Sequence, residues 1–141
     1  MISSKNILAI TLARGGSKSI YKKNIALLNS KPLISYTISA ALSSKYIDNY
    51  IISTDDQEIA NVAIEYGAEV PFIRPKNLST DTASSAEALI HAVNEYEKIS
   101  NKRYDYIIEL MCTNPFKSAQ MIDSIIETLN SEKKVDAVIT V

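Results

Sequence analysis

The sequence is poor in several things, and each shortage closes off a class of protein. It holds one cysteine, Cys112, so no internal disulfide can form and a reducing compartment, the cytoplasm, is expected. Its 15 Lys+Arg against 16 Asp+Glu leave a net charge of −1, which gives no general attraction to nucleic acid. No apolar run approaches the length needed to span a membrane, and Met1-Ile-Ser-Ser-Lys-Asn6 carries no signal-peptide pattern. Only three glycines are present, and no internal repeat, low-complexity tract or interdomain linker is visible. The eight tyrosines suit the rims of helices and strands and make no evident stacking platform.

What is present is enough for one globular domain spanning residues 1–141, with 46% hydrophobic content to build its core. Short Ile- and Val-rich runs at Ile7–Leu12, Tyr50–Thr54, Glu69–Ile73, Tyr104–Met111 and Val135–Val141 predict strands. Between them, Pro32–Ser43, Asp56–Tyr66, Ser84–Ile99 and Ser118–Glu132 have helical length. In the third helix Ala86, Leu89, Ile90, Val93 and Tyr96 recur at three- and four-residue spacing, which predicts the buried face. Asp55 with Glu58, and Ser84 with Glu87, have capping-box spacing. Pro32 suits a first helical position, and Gly67 suits a left-handed stop. Strand–helix alternation, with mainly apolar strands that do not alternate with polar residues, predicts an α/β fold, a mainly parallel sheet with helices on both faces. Ligands in such folds sit beyond the carboxyl ends of the strands. The loops 13–31, 54–56, 74–83 and 112–117 are therefore the ones to inspect.

The first of these is the most informative. Gly15 and Gly16 are adjacent and lack Cβ atoms, and Arg14, Lys18, Lys22 and Lys23 surround them with positive charge. Such a loop directly after a buried strand suits polyanionic phosphate, although a solvated basic loop has the same local composition. It is not a dinucleotide fingerprint, because no third glycine follows, and it is not a Walker loop, because no Gly-Lys-Ser/Thr is present. Helical patterning resumes only near Pro32, and long loops in compact domains are usually functional.

Leu-Ala-Arg-Gly-Gly-Ser-Lys at 12–18 with Lys23-Asn24-Ile25 resembles the N-terminal signature of the acylneuraminate (CMP-sialic acid) cytidylyltransferases. The resemblance continues through Ser53-Thr54-Asp55-Asp56, Arg74-Pro75, Leu78-Ser79-Thr80-Asp81-Thr82-Ala83-Ser84-Ser85 and Thr113-Asn114-Pro115-Phe116-Lys117. It implies a Rossmann-like, nucleotidyltransferase-type fold and an enzyme that transfers CMP from CTP to a nonulosonic, sialic-acid-like sugar, releasing pyrophosphate. It also implies Mg2+ as cofactor, CTP and the sugar as partners, and a homodimer at full length.

Carried over by position, the resemblance gives Arg14 and Lys23 the catalytic contacts to the triphosphate. Ala13, Gly15, Gly16, Ser17 and Asn24 join them around the nucleotide, and Arg74 and Ser84 hold the cytidine. Met111 and Thr113 fall on the sugar side. Asp55 and Asp81 read equally well as turn or helix-cap residues and as ligands, and Ser84 as a cap. Mid-helix His91 reads as structural.

The sequence departs from the family at three points. Met111-Cys112 stands where Gln-Pro is usual, and a thioether cannot supply an amide's donor and acceptor, so a variant sugar such as legionaminate or pseudaminate is expected. Ser19 replaces a common glycine. No Asp-x-Asp pair of the kind that binds magnesium in the family is present. The chain is therefore expected to be C-terminally truncated, the nucleotide-binding half of an enzyme and inactive alone. The alternatives are a non-catalytic nucleotide-binding module and a relative of the 3-deoxy-manno-octulosonate cytidylyltransferases, which usually have Lys-Pro in place of Lys23-Asn24.

Overall fold

The computed structural model describes residues 1–15, 23–79, 85–112 and 117–131. In chain order its elements are β1 (Ile7–Leu12), β2 (Leu27–Leu28), β3 (Lys31–Pro32), α1 (Leu33–Leu42), β4 (Asn49–Ser53), α2 (Gln57–Glu65), α3 (Ser85–Ser100), β5 (Tyr106–Glu109) and α4 (Ala119–Ser131). Short 3-10 turns lie at Lys23–Ile25 and Lys76–Leu78. The predicted strand at Val135–Val141 falls outside the described residues.

The sheet has the order β4–β1–β5 and is parallel throughout, with Leu8 opposite Asn49 and Ile7 opposite Tyr106. β1 is central, and Ile7, Leu8, Ala9 and Ile10 are fully buried, as expected of a strand covered on both faces. Alternate side chains divide the core in two. Ile7 and Ala9 pack with Ile52 and Ile108 against Ile34 and Ile38 of α1, Ile59 of α2, and Ile122 and Ile126 of α4. Leu8, Ile10 and Ile51 pack on the other face against Ala92 and Tyr96 of α3. The sheet is thus sandwiched by helices, as the strand–helix alternation predicts.

Four local expectations need correction. Residues 69–73 do not form a strand ladder, only isolated parallel bridges of Glu69 with Ile51 and of Ile73 with Thr54. Pro71, between them, has no N–H to donate, so pairing is interrupted at an edge. Asp55 is not the cap of α2. Asp56 is, its Oδ1 accepting the Ile59 N–H at 3.0 Å. In α3 the buried positions are Ala88, Ala92 and Tyr96 with Leu89 and Val93 beside them, while Ile90 is exposed and Ala86 faces solvent. Small alanines let the helix lie close to the sheet, a preference that weighing residues by size misses. Finally, Pro32 is not the first helical residue but the N-cap, with ψ 140°.

The long first loop also contains structure the sequence reading passed over. β2 and β3 form a small antiparallel hairpin, Leu27 opposite Pro32, across Asn29 and Ser30 with φ of 51° and 69°. Two consecutive positive φ values are the signature of a tight type I′ hairpin turn, and Asn tolerates that region. Gly67 behaves as expected, with φ 97°. Its N–H reaches the Ile64 carbonyl and the Ala68 N–H reaches that of Ala63, both at 3.0 Å, closing α2 with a Schellman motif.

Candidate functional site

The carboxyl ends of the parallel strands bring four segments together. After β1, the Ala13 N–H donates to the Ser53 carbonyl at 2.9 Å, prolonging the pairing with β4 by one residue. Ala13 is fully buried in the core, so its backbone alone is available to a ligand. The chain then turns at Arg14 and Gly15, both half-buried. The Asn24 Nδ2 donates to the Arg14 carbonyl at 3.1 Å, tying the 3-10 turn back onto this point.

Gly15 is held by two successive aspartates. Its N–H donates to Asp55 Oδ1 at 2.8 Å, a bond that leaves the amide no freedom to meet a ligand. A Cβ on Gly15 would stand 2.8 Å from Asp56 Oδ2 and 2.9 Å from its Cβ, so the residue is glycine for want of space. The Asp56 N–H in turn donates to Thr54 Oγ1 at 3.1 Å.

Arg74 arrives from the far side of β4, its N–H donating to the Thr54 carbonyl at 2.8 Å. It is only 4% exposed, and among the described residues its Nε and Nη2 have no hydrogen-bond partner. Burial pushes its pKa down, the nearby Asp55 carboxylate pulls it back up, and the Arg14 guanidinium pushes it down again. A buried guanidinium with unused donors is costly unless something polar meets it. Its free donors suit an anion or hydrogen-bond acceptors.

On the other side of β1, β5 ends at Glu109, whose burial raises its carboxyl pKa. Met111 is 37% exposed, while Cys112 is buried and its thiol is pushed up to about 12 by burial, with Lys117 pulling slightly the other way. Lys117 is 6% exposed. Its Nζ donates to Thr37 Oγ1 of α1 at 3.2 Å and also to the Met111 carbonyl. This pins the end of β5 to α1.

The structure thus gathers Ala13, Arg14, Gly15, Asn24 and Arg74 at one end of the sheet, with Met111 on the β5 side. Lys23 opens the 3-10 turn beside Asn24. Gly16, Ser17, Lys18, Ser84 and Thr113 lie outside the described residues, as do Lys22 and Asp81. His91, on α3, packs edge-on against Phe72 with ring centroids 5.2 Å apart. Two residues gain importance that the sequence reading did not give them. Asp55 does not cap α2, and its Oδ1 holds the Gly15 N–H. Lys117 is a buried strut. A hint of the first was available, since of two adjacent aspartates only one can cap a helix.

Among the described residues no group of three or more His, Cys, Asp or Glu could hold a metal ion. Asp55 and Asp56 each have one oxygen occupied by a backbone N–H. The described residues by themselves therefore assemble no magnesium site. No described helix is long and apolar enough to cross a membrane.

Comparison with known proteins bears on the fold and the family. The chain is 45% identical over 115 residues to the pseudaminic acid cytidylyltransferase of Campylobacter jejuni strain 81-176, covering 82% of this chain and 49% of that protein. It is 39% identical over 121 residues to the CMP-N,N'-diacetyllegionaminic acid synthase of Legionella pneumophila, covering 86% of this chain and 52% of that one. The chain therefore spans about half the length of the curated relatives it matches. Among solved structures it resembles a CMP:2-keto-3-deoxy-manno-octonic acid synthetase complexed with CTP, with a TM-score of 0.78 at 16% identity, over 93% of this chain and 50% of that one. At that identity the likeness speaks for the fold. Residues 8–141 match the profile of the family described as Cytidylyltransferase, and the chain belongs to that family.

Proposed function

We propose that this chain forms the nucleotide-binding part of a cytoplasmic enzyme that transfers CMP from CTP to a nonulosonic acid. The sugar's anomeric hydroxyl attacks the α-phosphorus, that P–O bond forms as the bond to the β-phosphate oxygen breaks, and pyrophosphate leaves. Such a step depends on in-line positioning and on stabilising the charge that develops on the phosphoryl and leaving oxygens. Arg14 and Lys23 are the groups for the triphosphate. Backbone at Ala13, Gly15, Gly16 and Ser17 lines the pocket, Asn24 orients the loop and the nucleotide, and Arg74 and Ser84 hold the cytidine.

The observation that carries this reading is Arg74, buried to 4% exposure with two donors unpartnered among the described residues. It lies within electrostatic reach of Arg14 and Asp55 at the ligand-binding end of a parallel sheet. The sugar class is supported by the names of the relatives, which concern pseudaminic and N,N'-diacetyllegionaminic acids. Met111 and Thr113 are assigned to that side of the site. Met111 offers a thioether where an amide is usual, which suits a sugar whose recognition there is less polar than that of N-acetylneuraminate. Magnesium, which would neutralise phosphate charge, and a second copy of the full-length chain complete the proposed assembly. No step above is routed through either.

Calorimetric titration tests the reading. CTP should bind in preference to ATP and NAD. Arg14→Ala and Lys23→Ala should each weaken CTP by about 1.5–3 kcal/mol, and cytidine by much less, because a charge-assisted contact to phosphate is lost. Equal losses for CTP and cytidine would remove the phosphate role of these two residues.

A further inference from the structure

Cations that meet phosphate oxygens must be held in place, since a small misplacement forfeits most of the benefit of prealignment. Arg14 sits on a turn with no regular secondary structure of its own, so something else has to fix it. The adjacent backbone N–H, that of Gly15, is taken by Asp55 Oδ1 at 2.8 Å, across forty residues of sequence. Asp56 has a different task, capping α2 through the Ile59 N–H and closing off the space beside Gly15. Asp55 itself follows β4 directly, and Thr54, the residue before it, accepts the Arg74 N–H. One short segment therefore holds both the Arg14 turn and the backbone of Arg74, whose Nε and Nη2 have no partner among the described residues.

We propose that Asp55 is a positioning residue for polyphosphate binding. By accepting the Gly15 N–H it fixes where Arg14 presents its guanidinium to a nucleoside triphosphate. The inference rests on the CTP reading above and deepens it. What Asp55 supplies to the Arg14 turn is a hydrogen-bond acceptor at a set point, in addition to its electrostatic pull on Arg74. An asparagine can supply the same acceptor, whereas an alanine cannot.

The test is titration of CTP and of cytidine into wild-type chain, Asp55→Asn and Asp55→Ala. Asp55→Ala should weaken CTP by at least about tenfold and cytidine by less than about threefold, and Asp55→Asn should stay within about threefold of wild type for both. Three outcomes overturn the proposal: Asp55→Ala binding CTP as wild type does, CTP and cytidine weakening equally, or Asp55→Asn falling as far as Asp55→Ala. A wild-type chain that binds no CTP overturns the nucleotide reading and this proposal with it, so the two failures are told apart by the wild-type titration. Should Asp55→Ala not fold, the Gly15 amide proton decides. Slow exchange with solvent in wild type and in Asp55→Asn supports the clamp, and fast exchange in either overturns it.

Discussion

The Lys117 ammonium donates to the Thr37 hydroxyl across 3.2 Å, with both side chains buried and eighty residues apart in sequence. The same nitrogen donates to the Met111 carbonyl, so a single buried cation holds the end of β5 against α1. Burial lowers the Lys117 pKa, with the Cys112 sulfur acting in the opposite sense. Thr37→Val keeps the shape and removes the acceptor, leaving a buried charge less well met. It should destabilise the fold by about 1–3 kcal/mol in urea unfolding. In a Lys117→Met background the same change should do much less, because the charge is gone. Additive effects would mean that the two side chains are not coupled.

Gly15→Ala should be destabilising by about 1–3 kcal/mol, because the new methyl would overlap Asp56. Adding Asp56→Ser should rescue only part of this. Serine still caps α2 and removes the offending Oδ2, but its Cβ remains 2.9 Å from the new methyl. Thermal melts of the single and double variants check this, and full rescue would show that the carboxylate alone dictates glycine here.

Alkaline pH should weaken the fold through Cys112. Its thiol has an ordinary value of 9.0 and is raised by burial to about 12. Between those values the unfolded chain releases a proton that the folded chain keeps, so stability falls as pH rises, by up to about 1.4 kcal/mol per pH unit. Tyr50, also raised by burial, adds to the fall above 10.0. Lys117 opposes it: lowered from 10.5, it favours the folded state as pH rises to that value. Cys112→Ala removes the first of these contributions. The gap between wild type and Cys112→Ala in urea midpoints should therefore shrink from pH 8 to pH 10, and a constant gap would contradict the buried-thiol account.

Glu109 gives a second pH test of opposite range. Burial raises its carboxyl pKa from 4.5, so the stability it brings is complete below 4.5 and is lost as pH rises through the folded value. Glu109→Gln mimics the neutral form. It should raise the melting temperature relative to wild type at pH 7, with the difference narrowing toward pH 4. The same difference at both pH values would contradict it.

Some of this was open to reading in the chain alone, and the reasons are local. β1 spans Ile7–Leu12 as predicted, because an unbroken apolar run in a short segment needs no partner to announce itself. The helices α1, α2, α3 and α4 fall within two residues of their expected ends, since periodicity and breakers act over a few positions. The Gly67 stop was legible for the same reason, as only glycine takes φ 97° without strain. The order of motifs from Arg14 to Lys117 was sufficient to point to the family.

What only the tertiary structure decided depends on partners distant in sequence. Asp55 and Asp56 are chemically identical neighbours, and the arrival of Gly15 forty residues away makes one a clamp and the other a cap. Arg74 is an ordinary arginine until the fold buries it within electrostatic reach of Arg14 and Asp55 and leaves two of its donors without partners among the described residues. Lys117 reads as a motif residue, and Thr37, which has no feature of its own in the sequence, makes it a strut. Local propensity fixes where elements begin and end, but which polar groups are buried, and against what, is set by contacts between segments that the sheet alone brings together.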